Sequence, residues 1–245
     1  MGDRYDLHGH RALVTGAGRR LGRAFAEALA AHGADVAIHY GGSAQGAAAT
    51  LQAVEALGAH GVRLQADLAD PRAAAALIGQ AAEALGPIDL LVNSAAIFEP
   101  VGALEADLAT WERHLTINLT APFLLSQAFA RQRLGKPGAI VNLLDWRALR
   151  PGADHFPYTI AKAGLAAMTR SLAIALAPAI RVNGLALGAI LPPPETPDLD
   201  QPPRGAPINR WATIEETTGA LLFLLAGPDF ITGEILHLDG GRHLA

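Results

Sequence analysis

Apolar positions along this chain follow two alternating rhythms. Short, nearly unbroken apolar runs stand at residues 11–15, 35–39, 62–65, 88–92, 139–144, 180–185 and 234–238. They read as strands, and their contiguous rather than alternating apolar residues are what strands covered on both faces require. Between them the apolar positions recur at helical spacing. Leu21, Ala24, Phe25, Ala28 and Leu29 fall on one helical face, and Gly33 stands where that helix should stop. Asp70 followed by Pro71 reads as an N-cap and the first residue of another helix. Pro178 closes a helix that contains Tyr158 and Lys162. Strand and helix alternate from end to end, without an internal repeat or a linker. That order predicts an α/β fold, with a doubly wound parallel sheet of seven strands flanked by helices in a single domain over 1–245.

One segment breaks the rhythm. Residues 188–207 carry seven prolines, which exclude a regular helix interior or a central strand. The segment reads either as an irregular excursion or, from its place after the sixth strand, as a loop over a substrate.

Composition narrows the function. Hydrophobic residues make up 51% of the 245 residues, enough for a substantial core. The net charge is −4 with arginine scattered, so no nucleic-acid surface is expected. The chain has no cysteine, which excludes disulfides, thiol catalysis and thiolate metal sites, and fits a cytoplasmic location. The nine histidines lack metal-ligand spacing, so no metal is expected. The N-terminal residues lack the apolar stretch of a secretory signal. No membrane span is expected either, since the apolar stretch at 165–177 is short and interrupted by Arg170.

Candidate chemistry concentrates in two places. Tyr158 and Lys162 are four apart and share one helical face. A cation beside a phenol favours the phenolate, so Lys162 is expected to lower the Tyr158 pKa and make it a proton donor. Thirteen residues before Tyr158 an apolar run ends at Asp145. An ionised Asp only accepts hydrogen bonds, so it suits a heterocycle with N–H and NH2 donors better than an oxygen gaining negative charge. Its alternative role is to cap the next turn. The second place is Thr15-Gly16-Ala17-Gly18-Arg19-Arg20-Leu21-Gly22, between the first strand and first helix. Glycines there let the backbone turn tightly and approach a pyrophosphate at the helix N-terminus.

These features together resemble the short-chain dehydrogenase/reductase family from Arg11 to the C-terminus. The resemblance implies a Rossmann fold and hydride transfer with a nicotinamide cofactor. Two departures from the wider family are informative: Asp145 stands in place of its Ser, and Arg20 in place of the middle glycine. Both are similar to the branch of pteridine reductases and dihydromonapterin reductases. On that resemblance Tyr158 is the proton donor aided by Lys162, and Asp145 orients a pterin or relays a proton to its ring nitrogen. Asn118, in Thr116-Ile117-Asn118-Leu119-Thr120, matches the family Asn whose helix kink holds a water beside the lysine. The cofactor residues implied are Gly16, Gly18, Arg19, Arg20, Leu21 and Gly22, then His39, Tyr40 and Ser43, then Asp67 and Leu68, then Asn93, Ser94 and Ala95, with Tyr158 and Lys162. No acid follows the second strand, and Arg19, Arg20 and Ser43 suit a 2′-phosphate, so NADPH is expected. The alternative is that both arginines are solvated. Phe98 joins Asp145 and Tyr158 as substrate-binding: it either sandwiches the pterin ring or plugs the core. The tail from Leu238 to Ala245 resembles relatives in which it lies near a subunit interface, which implies a homotetramer. The function expected is NADPH-dependent reduction of a dihydropterin; reduction of a carbonyl or another imine, and a catalytically silent NADPH-binding or scaffold role, are the alternatives.

Overall fold

The computed structural model describes residues 5–192 and 205–245. Seven strands form one parallel sheet: β1 (Arg11–Val14), β2 (Asp35–Tyr40), β3 (Gly61–Gln65), β4 (Leu90–Asn93), β5 (Gly138–Asp145), β6 (Ile180–Leu187) and β7 (Ile235–Leu238). Their order across the sheet is β3-β2-β1-β4-β5-β6-β7. Chain direction across the sheet reverses between β1 and β4, and in open α/β sheets ligands bind at such a switch point, beyond the carboxyl ends of the strands.

Each strand sends alternate side chains to opposite layers. From β1, Ala12 and Val14 join a core with Phe25 and Leu29, whereas Leu13 joins the opposite core with Leu77, Leu125 and Phe129. The first core lies under helices α1 (Arg20–Ala31), α2 (Ala44–Ala56) and α7 (Ile214–Ala226). The second lies under α3 (Pro71–Leu85) and α5 (Ala121–Arg133), with α4 (Leu108–Leu115) and α6 (Phe156–Leu176) continuing that layer. Burial on both faces explains why the strands read as unbroken apolar runs.

Caps fix the helix starts. Asp70 accepts from the Arg72 backbone N–H at 2.8 Å, with Pro71 at the first position. Thr213 and Glu216 form a reciprocal capping box at α7. The α1 helix ends before Gly33, whose φ is +96°.

Three boundaries differ from expectation in ways that matter. β4 begins at Leu90, because the Ile88 N–H is taken by the Gln132 side chain at 2.6 Å. β5 and β6 stay paired further than their apolar runs, through Asn142↔Gly184 to Asp145↔Leu187. Asp145 is therefore the last residue of the ladder, anchored to the sheet. Third, α6 is 21 residues, long and apolar enough to cross a membrane by length and composition alone, which the short apolar stretch at 165–177 did not suggest. Its Tyr158, Lys162, Leu165, Ala166, Thr169 and Ala173 are buried within the fold, as in a core helix. Most of the proline-rich segment 188–207 lies outside the described residues.

Candidate active site

The Gly-rich turn is shaped by backbone contact. Gly16 has φ +69°, and a Cβ there would lie 2.9 Å from the Ala95 Cα. A Cβ on Gly22 would stand 2.3 Å from the Gly16 carbonyl oxygen, so the first turn of α1 presses directly on the loop. Thr15 ties this loop to the one after β4. Its Oγ1 accepts from the N–H groups of Ser94 at 2.9 Å and Ala95 at 3.0 Å and donates to the Val92 carbonyl.

His39 bolts the turn from the other side. The Gly16 N–H donates to its Nδ1 at 3.1 Å, which leaves Nε2 to donate to the Ala66 carbonyl at 3.1 Å. Burial pushes the His39 pKa down, with the Ala66 hydrogen bond a lesser opposing effect, so the imidazole is held neutral. His39 borders the cleft as expected, but both ring nitrogens serve the protein rather than a ligand.

A cleft of about 960 Å³ runs along the carboxyl ends of the strands. It is lined by Gly16, Gly18, Arg19, Arg20, Leu21, Gly22, His39, Tyr40, Ser43, Asp67, Leu68, Ser94, Ala95, Phe98, Asp145, Tyr158 and Lys162. Two expected members stand back from it. Asn93 is buried, and its Nδ2 donates to Asn142 Oδ1 at 2.8 Å within the sheet. Asn118 sits in the middle of a π-helical segment, Thr116–Thr120, which is the expected kink. Its side chain accepts from the Ile97 N–H at 3.0 Å and donates to the Ile97 carbonyl at 3.1 Å. Both amides brace loops behind the site, and in the described structure neither touches the reacting face.

The two arginines also part company. Arg20 has φ +51°, and its Nη2 donates to the Pro192 carbonyl at 3.1 Å, beyond β6. That bond joins Arg20 to the loop beyond β6, while Arg20, like Ser43, lines the cleft where a 2′-phosphate was expected. Arg19 is exposed on the cleft, and Ser43, the N-cap of α2, lies against the Gly18 carbonyl.

At the far end of the cleft Asp145 uses its two oxygens differently. Oδ1 accepts from the Arg147 N–H at 2.9 Å and caps a short 3-10 turn, Trp146–Ala148. Oδ2 accepts from the Tyr158 hydroxyl at 3.2 Å. The capping role and the active-site role are thus both real, one on each oxygen. The Tyr158 phenol is pushed well above its ordinary range, first by burial and then by the charge and hydrogen bond of Asp145. This reverses the expected lowering by Lys162. The lysine ammonium lies 5.7 Å from the Tyr158 ring centroid and donates instead to the Leu143 carbonyl at 2.6 Å. Burial lowers the Lys162 pKa to about 8, with Asp145 opposing.

A second charged cluster escaped the sequence reading. Arg147 Nη2 binds Asp154 Oδ2 at 2.7 Å, and its Nη1 lies 3.6 Å from Asp145 Oδ1. Burial works against the Arg147 charge, but Asp154 and Asp145 outweigh it and hold its pKa above the usual value. The hydrogen bond from Arg147 holds the Asp154 carboxyl down to about 2. His155 shares Asp154 Oδ2 through Nδ1 at 3.1 Å and lies flat on Phe98, with ring centroids 3.8 Å apart. One face of Phe98 is therefore already covered. The only sequence signal for this cluster was proximity to Tyr158.

Residues 16–243 match the family described as enoyl-(acyl carrier protein) reductase. The chain belongs to the short-chain dehydrogenase/reductase family. It is 34% identical to the 3-oxoacyl-[acyl-carrier-protein] reductase of Synechocystis sp., over 94% of this chain and 95% of that protein. Among solved structures it is similar to FolM alternative dihydrofolate reductase 1 from Brucella canis, complexed with NADP. That match has 35% identity, 98% and 96% coverage and a TM-score of 0.88. A short-chain dehydrogenase from Burkholderia cenocepacia, also complexed with NADP, matches at 37% identity, 96% and 98% coverage and a TM-score of 0.86. As a member of this family the protein is an oxidoreductase with a single-domain Rossmann fold acting on small molecules.

Proposed function

We propose that this protein uses NADPH to reduce a dihydropterin. The observation that carries the reading is the acceptor oxygen of Asp145, 3.2 Å from the Tyr158 hydroxyl on the wall of the cleft. A carboxylate there repels a carbonyl oxygen that gains charge during reduction. It accepts well from the N–H and NH2 edge of a pterin. Gly16, Gly18, Arg19 and Gly22 would hold the NADPH, which would supply the hydride for the carbon of a ring C=N bond. Tyr158 delivers the proton that the ring nitrogen gains, so C=N becomes CH–NH. Lys162, held by the Leu143 carbonyl at 2.6 Å, places its ammonium 5.7 Å from the Tyr158 ring centroid, behind the donor. Support also comes from the FolM structure, named a dihydrofolate reductase and complexed with NADP. For the cofactor, the end of β2 and the turn after it read His39-Tyr40-Gly41-Gly42-Ser43 without an acid for a ribose diol, and Arg19 is exposed on the same cleft. The same reading takes the protein to act as a homotetramer in the cytoplasm, on the tail resemblance and the cysteine-free composition.

Turnover of NADPH over a panel of dihydropterins and ketones tests this, with Asp145→Asn as the paired variant. Asn keeps an oxygen for the Arg147 cap and places an NH2 donor toward the substrate where the charged acceptor stood. Dihydropterin kcat/KM should fall by roughly ten- to a hundredfold, the scale of one charged hydrogen bond. Unchanged pterin kinetics would remove the reading. Consumption of NADPH with ketones alone would favour the second reading, a carbonyl reductase, which the similarity to a 3-oxoacyl-[acyl-carrier-protein] reductase supports.

A further inference from the structure

Phe98 and Asp145 sit on different elements, yet a closed circuit of contacts joins them. The Phe98 ring lies within 5° of parallel to the His155 ring and edge-on to Tyr158 at 4.7 Å. His155 Nδ1 meets Asp154 Oδ2 at 3.1 Å. Asp154 takes the Arg147 guanidinium at 2.7 Å, and the Arg147 N–H donates to Asp145 Oδ1 at 2.9 Å. Asp145 Oδ2 returns to Tyr158. The guanidinium carbon also lies 5.6 Å from the Phe98 centroid.

The circuit is anchored in backbone. His155 is the N-cap of α6, with φ +52°. Its carbonyl accepts from the Thr159 N–H at 2.9 Å, and the neighbouring Phe156 N–H donates to the Val101 carbonyl at 2.7 Å. Phe98 itself is half exposed, on a loop without regular structure. Such a ring would move freely if nothing backed it, and a mobile wall fixes no distance to Asp145.

We propose that Arg147, Asp154 and His155 are positioning residues that hold Phe98 at a set place relative to Asp145 Oδ2, so that the site reads a flat ring by face and edge together. His155 backs one side of Phe98, and the substrate ring takes the other. Asp154 fixes the imidazole, and Arg147 ties that carboxylate to the one that meets the substrate edge. The inference rests on the dihydropterin reading only for the identity of the ring.

The test is a double-mutant cycle of His155→Ala and Phe98→Leu, read on whichever panel substrate the wild type reduces. Each single variant should raise KM by about five- to tenfold, the scale of one aromatic contact, with NADPH affinity unchanged. The double variant should be no worse than Phe98→Leu alone, within about twofold, because His155 acts through Phe98. His155→Phe restores a ring against Phe98 but not its bond to Asp154, so it should recover only part of the loss, to about threefold above the wild-type KM. KM effects that multiply would mean that His155 does not act through Phe98, and the proposal falls. It falls equally if His155→Ala lowers the melting temperature without moving KM, or if His155→Phe matches the wild type, since Asp154 and Arg147 would then position nothing. A wild type that reduces only ketones sinks the dihydropterin reading, and the cycle is then read on the ketone.

Discussion

The two ends of the cleft are built from different materials. At the β1–β2–β4 end the shape is made by main chain. Gly16 and Gly22 allow contacts no Cβ would permit, and Thr15 and a neutral His39 hold loop amides in place. At the β5–α6 end the shape is made by charged and aromatic side chains. Asp145, Arg147 and Lys162 stand near one phenol, with Asp154 bound to Arg147, and the Tyr158, Lys162 and Asp154 pKa values are all displaced. The first end suits a ligand recognised by its phosphates and common to many enzymes. The second suits a transition state, where the position of a single proton decides the rate.

Breaking the chemical end should have the largest effect. Tyr158→Phe removes the proton donor and leaves the buried ring in place. Turnover should fall by roughly 10²–10⁴-fold with NADPH affinity nearly unchanged. Single-turnover kinetics and a cofactor titration check both halves, and retention of more than half the wild-type rate would show that Tyr158 is not the donor.

The cofactor end can be sharpened with its two arginines. Arg19→Ala should weaken NADPH by roughly tenfold, on the scale of one charge-assisted contact, and leave NADH almost unaffected. Arg20→Ala should instead change the two cofactors in parallel, because its guanidinium is engaged by the Pro192 carbonyl. Dissociation constants for both cofactors decide the matter: a selective NADPH loss in Arg20→Ala would return the 2′-phosphate to Arg20.

The smallest effect is one of pH. Lys162 titrates at about 8 in the fold, against an ordinary 10.5, so the unfolded chain holds this proton more tightly. Between about pH 8 and 10.5 this group therefore adds stability as pH rises, and that contribution is lost as pH falls through about 8. Tyr158 acts in the opposite sense above about pH 10, since its folded pKa is raised. Urea midpoints of the ligand-free protein from about pH 7.5 to 9.5 should climb less steeply in Lys162→Met than in wild type. Equal slopes would show that Lys162 does not titrate in this window.

The contrast between the two ends also explains what could be read in the chain. Apolar runs gave all seven strands, because burial on both faces leaves a simple pattern. The glycines of residues 16–22 and the helical spacing of Tyr158 and Lys162 were legible because backbone geometry imposes them. Side-chain direction was not. Arg20 bonds the Pro192 carbonyl, 172 residues away, and Asn93 faces the sheet because it is still a strand residue. Arg147, Asp154 and His155 lie on a turn, a loop and a helix cap, where no period brings distant residues together. The displaced Tyr158 pKa depended on burial and on which neighbour its hydroxyl meets, and neither is a property of sequence spacing.

The divided carboxylate of Asp145 constrains how this lineage could change substrate. One of its oxygens maintains the chain's path out of β5, and the other faces the chemistry. A serine in its place brings one oxygen with two lone pairs and a proton, so it can accept from the Arg147 N–H and still turn its hydroxyl into the cleft. What it cannot supply is the negative charge that faces the Arg147 guanidinium at 3.6 Å. A change at position 145 therefore reaches Arg147, and the residues just after β5 should record a change of chemistry together with position 145 itself.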